Sequence, residues 1–406
     1  MDSKSYLRRL GFVNFISIMQ LIMLRTYFVV YLETDLLTDI LIITLLGSLQ
    51  NLLQIVFRVP LSRISQIFGR KPLILLGIVS FTLSLFFMAV ATNWIYVAVS
   101  TLLLAIGMSA YWPATFAYLG DIADENYGEY NGVLFQYGDI GSIFTTLVAK
   151  YLLDIQSFFK DFGLRQLYWI FTILSVILVI IAWFILPESN KGHEDRGPLF
   201  SEVISSLKFM VSDTLKMTKA QYLGRIYLLQ FIVSFSEFGF VLFFPKLIVD
   251  YGYSNGSVAE IILYGTLILI LIKPWLGKVS DRFGYLRPVG FSLVVMSISI
   301  YLELLSRNFL VLFATYTVVI GVLMISYPAI NGGTSRSADN QLRGQAMGVL
   351  GIYTSTGRGL STLYLGLLTS VFDLKIAFLL FASFIMFFGI LIFLEYRRVR
   401  GFVPFS

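Results

Sequence analysis

Between two long apolar segments the chain reads Lys273-Pro274-Trp275-Leu276-Gly277-Lys278-Val279-Ser280-Asp281-Arg282-Phe283-Gly284. Earlier it reads Arg58-Val59-Pro60-Leu61-Ser62-Arg63-Ile64-Ser65-Gln66-Ile67-Phe68-Gly69-Arg70-Lys71. At an offset of 215, Arg58 meets Lys273, Ser65 meets Ser280, Phe68 meets Phe283 and Gly69 meets Gly284. The same offset pairs Pro113-Ala114 with Pro328-Ala329. One residue more pairs Gly128 with Gly344, Gly132 with Gly348 and Gly141 with Gly357. Agreement in register at three separated places predicts an internal repeat.

Both stretches lie among apolar segments long enough to cross a bilayer, which takes about 20 residues of helix for roughly 30 Å. Twelve such segments are expected, near 10–32, 39–58, 72–91, 94–119, 130–150, 166–186, 224–248, 257–276, 287–305, 309–333, 345–370 and 374–395. Their continuous apolarity argues against barrel strands, which alternate over about ten residues. The first segment is too long for a cleaved signal peptide and lacks a small-residue cleavage site. Composition agrees. The 406 residues are 57% hydrophobic and 13% charged, against about 25% charged in soluble domains. Mean hydropathy is +0.81. No soluble particle hides 37 Phe and 23 Tyr on this scale. The expected class is an all-α integral membrane protein, with 12 transmembrane helices in two six-helix bundles. The domains are 1–186, a cytoplasmic central loop at 187–222, and 223–406. Part of that loop is amphipathic enough to lie along the membrane surface. Six spans per half give both halves the same orientation, so the repeat is a parallel pseudo-two-fold one.

Orientation follows from the basic residues. With both termini in the cytoplasm, 22 of the 30 Lys and Arg fall in cytoplasmic segments and 6 in outer loops, the expected bias. Asp121, Asp124, Glu125 and Glu129 form an acidic exception, and acidic residues weigh little in that rule. The net charge of +6 therefore reads as an orientation signal and not as nucleic-acid binding. With no Cys and one histidine, His193, neither an iron–sulfur cluster nor a histidine metal site is expected. No Gly-x-x-x-x-Gly-Lys-Ser/Thr loop is present for ATP. No cofactor is expected. The partners are a small-molecule substrate, protons and the lipid bilayer, with the chain as a monomer.

The run Gly277-Lys278-Val279-Ser280-Asp281-Arg282-Phe283-Gly284 resembles the loop signature of the major facilitator superfamily. The family places it between spans two and three and again between eight and nine. The resemblance covers the whole chain and implies two bundles that rock about a midplane site. It also implies that spans 1, 4, 7 and 10 line a cavity, while 2, 5, 8 and 11 form the bundle interface. The first copy departs from the pattern, with Ser62 for the leading glycine and Gln66 for the aspartate. In the family that acidic group faces the N-terminus of span eleven. A carboxylate there contributes roughly 0.3–1 kcal/mol, more than neutral Gln66 supplies. Pro187-Glu188-Ser189 resembles the sugar porters after span six, without the Pro-Arg that follows in them.

A charge at the bilayer core costs at least about 2.5 kcal/mol and marks a pathway or a pair. Arg25, Asp139, Glu237 and Arg358 stand within spans, and Arg58 and Lys273 stand near cytoplasmic ends. Helical spacing adds polar stripes. These are Gly47, Gln50, Asn51, Gln54 and Arg58; Asn14, Ser17 and Arg25; Gln136, Asp139, Ser142 and Thr146; Gln230, Ser234 and Glu237; and Thr354, Arg358, Ser361 and Thr362. Arg58 and Lys273 either snorkel to the interface or bind substrate. Asp139 is a proton carrier or the fixed partner of a basic group such as Lys273. Glu237 is the leading proton-coupling candidate. The substrate-binding candidates are Arg25, Gln54, Arg58, Trp112, Gln136, Lys273, Tyr327 and Arg358, with Arg358 also readable as an interface strut. Gating candidates are Gly69, Arg70, Asp121, Gly277, Asp281, Gly284 and Arg336, paired as Arg70–Asp121 and Asp281–Arg336.

The expected function is secondary active transport of a small solute by alternating access, proton-coupled, with an organic anion suggested by Arg25, Arg58 and Lys273. The alternative is proton-coupled efflux of hydrophobic compounds. Against it, span five reads Gly138-Asp139-Ile140-Gly141-Ser142, without the Gly-Pro pair of the antiporter motif. A non-transporting sensor or a membrane enzyme ranks lower, since only the cluster at 121–129 offers loop chemistry.

Overall fold

A chain this apolar must satisfy its backbone hydrogen bonds within each segment, and helices do so. The computed structural model describes residues 3–123, 127–154, 162–189, 214, 218–219, 221–283, 286–337 and 343–399. Thirteen helices stand among the described residues: α1 (Ser3–Thr26), α2 (Phe28–Thr34), α3 (Ile40–Phe68), α4 (Arg70–Ala89), α5 (Trp94–Ala123), α6 (Tyr127–Asp154), α7 (Leu164–Ile185), α8 (Gln221–Asp250), α9 (Asn255–Phe283), α10 (Leu286–Leu305), α11 (Phe309–Ser337), α12 (Arg343–Val371) and α13 (Leu374–Val399).

Ten of these, all but α2, α6 and α12, are long and apolar enough to cross a membrane. The short α2 follows α1 after a break at Tyr27. The helices α6 and α12 have 28 and 29 residues, the length of their neighbours. They fall short in apolarity because they carry the polar stripes read for spans five and eleven. The outer faces of α7 and α13 remain apolar, with Ile173, Trp183, Phe184, Phe387 and Leu394 exposed, as expected of helices against lipid. The chain is an integral, multi-pass membrane protein.

The chain divides into two units, Met1–Ser212 with Gly252–Leu263, and Asp213–Tyr251 with Tyr264–Ser406. In the first, α1 packs on α6, α3 on α5, and α4 on both α5 and α7. Lys150 lies 3.0 Å from Asp154 and 3.5 Å from Glu260, which ties the start of α9 into this unit. In the second, α8 packs on α12, and α10 on α11 and α13.

The α1–α6 crossing requires a glycine. A Cβ on Gly141 would lie 2.5 Å from the carbonyl oxygen of Phe15. The α8–α12 crossing repeats the arrangement, with a Cβ on Gly357 falling 2.5 Å from the carbonyl oxygen of Phe231. Gly132, also on α6, has nothing within 4 Å of such a Cβ. Gly141→Ala is therefore expected to cost about 1–3 kcal/mol through overpacking, and Gly132→Ala to stabilise α6 by about 0.5–1 kcal/mol. Melting curves of the two variants in detergent test this; equal shifts would show that helix approach at Gly141 is not the constraint.

Candidate functional site

The second unit gathers three sequence-selected residues around one carboxylate. Glu237 stands on α8, Tyr327 on α11 and Arg358 on α12. The Arg358 guanidinium donates to Glu237 Oε2 at 2.9 Å. The Tyr327 hydroxyl donates to the same oxygen. The side chains of Arg358 and Glu237 retain 18% and 23% exposure. The pair is thus screened from bulk water yet open to a small species. Arg358 also lies over the ring of Phe238, 5.8 Å from its centre, a favourable place for a cation. Proline follows Tyr327 inside α11; its ring removes a helix hydrogen bond beside the site. Two turns away along α8, the Gln230 amide donates to Ser234 Oγ at 2.9 Å and to Thr354 Oγ1 at 2.8 Å. The stripes read on spans seven and eleven therefore face each other.

The first unit buries its polar stripes differently. The Asn14 amide donates to the Leu134 carbonyl at 2.7 Å, and Tyr111 donates to Asn14 Oδ1 at 2.9 Å. Gln50, Asn51 and Gln54 are buried. Asn51 and Gln54 turn their amides back to the carbonyls of Gly47 and Gln50. Ser109 of α5 donates to the Gln54 carbonyl. Arg25 is half-buried, with one terminal nitrogen 3.8 Å from the sulfur of Met108. Trp112 stacks with Phe116 and Phe135, ring centres 5.5 and 6.5 Å apart. Gln136 is exposed, and Arg58 and Asp139 are half-buried.

At the α3–α4 junction Gly69 has φ 99°, a conformation that favours glycine. Arg70 Nε lies 3.3 Å from Asp121 Oδ2, and its Nη1 donates to Ser65 Oγ at 3.3 Å. Glu188, which has no role in the reading of the sequence, is part of this cluster. Its carboxylate accepts from the backbone N–H of Arg70 at 2.9 Å and of Lys71 at 3.0 Å. It thereby satisfies two of the orphan donors that begin α4 and places negative charge at the positive end of the helix dipole. Ser189 Oγ donates to Asp121 at 2.9 Å, and Tyr118 donates to the Pro187 carbonyl at 3.1 Å. The signal was the Pro187-Glu188-Ser189 run closing α7. Lys273, Gly277 and Asp281 fall on α9, Arg336 on α11 and Gln66 on α3, but their surroundings are not among those described, and Gly284, Asp124 and Glu125 lie outside the described residues, so the expected Asp281–Arg336 pair receives no geometry.

The sequence profile of the Major Facilitator Superfamily matches residues 10–271 and 226–404. The chain belongs to the Major Facilitator Superfamily. Among relatives, it is 24% identical over 330 residues to Multidrug resistance protein 2 of Bacillus subtilis, covering 80% of this chain and 78% of the relative. It is 21% identical over 379 residues to an uncharacterized MFS-type transporter of Methanocaldococcus jannaschii, covering 91% and 92%. Among solved structures, a POT family transporter in complex with a thioalcohol conjugated peptide has TM-score 0.78 at 13% identity, covering 97% of this chain and 96% of that one. A bacterial homolog of the human lysosomal transporter Spinster has TM-score 0.75 at 14% identity, covering 96% of both chains. These likenesses concern the fold. As a Major Facilitator Superfamily member the protein is a transporter and not an enzyme.

Removing one partner of the Glu237–Arg358 pair leaves an uncompensated charge in a poorly hydrated place. Arg358→Gln is expected to cost about 3 kcal/mol, and Glu237→Gln with Arg358→Gln distinctly less than the sum of the two single changes. Thermal unfolding of the single and double variants measures the difference; an additive result would deny the coupling.

Proposed function

We propose that this protein is a proton-coupled secondary transporter of small lipophilic compounds, working by alternating access. The reading takes the chain as twelve transmembrane helices in two parallel repeats, with both termini in the cytoplasm. In favour of the repeat, Gly141 meets Phe15 as Gly357 meets Phe231, at the offset that pairs the two glycines in the sequence. The single observation that carries the function is the Glu237 carboxylate, held by Arg358 and Tyr327 on three helices of one unit. A proton arriving at Glu237 cancels its charge, releases Arg358 and loosens the link between α8, α11 and α12. Substrate binding and proton binding then compete for one carboxylate, which is the requirement for exchange of one against the other.

The choice of lipophilic cargo over an organic anion rests on charge. Glu237 neutralises Arg358, which withdraws that arginine from an anion-selecting set. The aromatic group of Trp112, Phe116 and Phe135 offers stacking surface in its place. The relative named Multidrug resistance protein 2 points the same way. Arg25 keeps the organic-anion reading as the second, because a half-buried guanidinium in the last turn of α1 is a natural carboxylate partner.

Proteoliposomes with an imposed pH gradient test the reading, with ethidium as the cationic probe and a fluorescent carboxylate as the anionic one. Gradient-dependent movement of ethidium that is lost in Glu237→Gln is the expected result. Movement of the carboxylate alone, lost in Arg25→Ala, would replace lipophilic compounds with anions. Gradient-dependent movement that survives in Glu237→Gln would remove that residue from coupling.

Gating is proposed for the Arg70–Asp121–Glu188 cluster, whose bonds join the starts and ends of α4, α5 and α7. Arg70→Ala is expected to slow turnover several-fold with probe affinity little changed; unaltered turnover in the same vesicles would contradict it.

A further inference from the structure

Glu303 is a second membrane carboxylate, and no reading of the sequence selected it. It lies near the end of α10, on a span with Arg287 at the other end, and its exposure is 0%. Neither of its carboxylate oxygens has a hydrogen-bond partner. In an apolar surround, an ionised carboxylate without donors or a counter-charge costs several kcal/mol.

Among the described residues, the neighbouring donors are committed elsewhere. The Thr315 hydroxyl on α11 is directed to the Val311 and Leu312 carbonyls, at 2.8 and 3.1 Å. A hydroxyl has one hydrogen, so Thr315 in this arrangement has none left for Glu303. The Tyr251 hydroxyl, just past α8, is directed to the Glu303 backbone carbonyl at 3.1 Å. Tyr316 of α11 stacks on Phe244 and Phe240 of α8, ring centres 4.8 and 6.2 Å apart. The cations on this side lie against the Tyr251 ring: Lys375 of α13 at 5.1 Å and Arg307 at 5.6 Å from its centre. Among the described residues neither makes an ion pair with Glu303. Among the described residues no donor reaches the carboxylate, and a carboxylic acid supplies its own.

We infer that Glu303 is a proton-binding site, carrying its proton in this conformation and exchanging it only when the contact between Tyr251 and the end of α10 opens. The step is a simple acid–base one: the proton of the carboxylic O–H is transferred to water admitted by that opening, giving hydronium and leaving the carboxylate. This site is separate from Glu237 and stands or falls without it.

Infrared difference spectroscopy of the purified full chain in lipid tests the inference at about pH 7, where a carboxyl with the ordinary value of about 4.3 is ionised. The expected result is a protonated-carboxyl C=O stretching band that shifts in heavy water and disappears in Glu303→Gln. Should Glu303→Gln fail to fold, Glu303→Asp keeps the carboxyl, and the band then moves in frequency. A wild-type spectrum with no such band, or a band indifferent to both substitutions, overturns the proposal. Stability gives an independent readout. A proton held by the folded state and absent from the unfolded one makes stability fall as pH rises above about 5. Between about pH 6 and about pH 8 the melting temperature of the wild type is therefore expected to fall more steeply than that of Glu303→Gln; parallel slopes count against the site.

Discussion

An ionised carboxylate in a membrane protein has to be compensated, and Glu237 is compensated by one guanidinium and one phenol drawn from two other helices. Arg358 at 2.9 Å and Tyr327 on the same oxygen bring α8, α11 and α12 to a common point. Neither partner is close to Glu237 in the sequence, so the bond exists only when the three helices are assembled. Such a pair is weak support for stability as such, since well-packed apolar residues do as well. Its value lies in being breakable. A proton or a competing cation at Glu237 alters the balance of charge at the meeting point of three helices, whereas an apolar contact offers no such handle.

The two units differ here in a telling way. The offset that sets Gly141 against Gly357 sets Leu21 against Glu237 and Ser142 against Arg358. The first unit thus has an apolar residue and a hydroxyl where the second has an ion pair. What the first unit has is the cluster at the start of α4. There Glu188 caps two backbone N–H groups and Arg70 reaches Asp121. A helix start that would expose orphan donors is closed by the segment that follows α7.

The fold was legible because the bilayer makes strong demands. Long apolar runs have few alternatives to a helix, and the ten most apolar helices all coincide with segments read from the sequence. The polarity of α6 and α12 was legible as stripes, since i, i+3 and i+4 residues share a face wherever the helix ends up. The Arg70–Asp121 contact was legible from the repeat and the loop signature together. Partnership across long separations was not. Glu237 and Arg358 are 121 residues apart, and periodicity states which face a residue occupies without stating what stands opposite. Glu188 was hidden for a related reason. Its partners are backbone N–H groups of α4, which carry no side-chain signature. Glu303 escaped because a carboxylate two residues from the end of a span looks interfacial, and only packing of α11 and Tyr251 over it removes the water.

Two acids on α8 and α10 of one unit therefore illustrate two solutions to the same electrostatic problem. Glu237 is paired with a cation and remains partly exposed, so it is open to whatever enters beside it. Glu303 has no donor and no exposure, so its state responds to whether its cover is in place. The Tyr316 ring, stacked on Phe240 and Phe244 of α8, lies along the helix that carries Glu237. A shift of α8 that follows release of Arg358 must carry Phe240 and Phe244 with it, because aromatic packing this close has little slack. Tyr316 is tied to α8 by these rings, whereas the Tyr251 hydroxyl that meets the end of α10 belongs to the chain just past α8, so the two carboxylates are separate answers to one electrostatic problem.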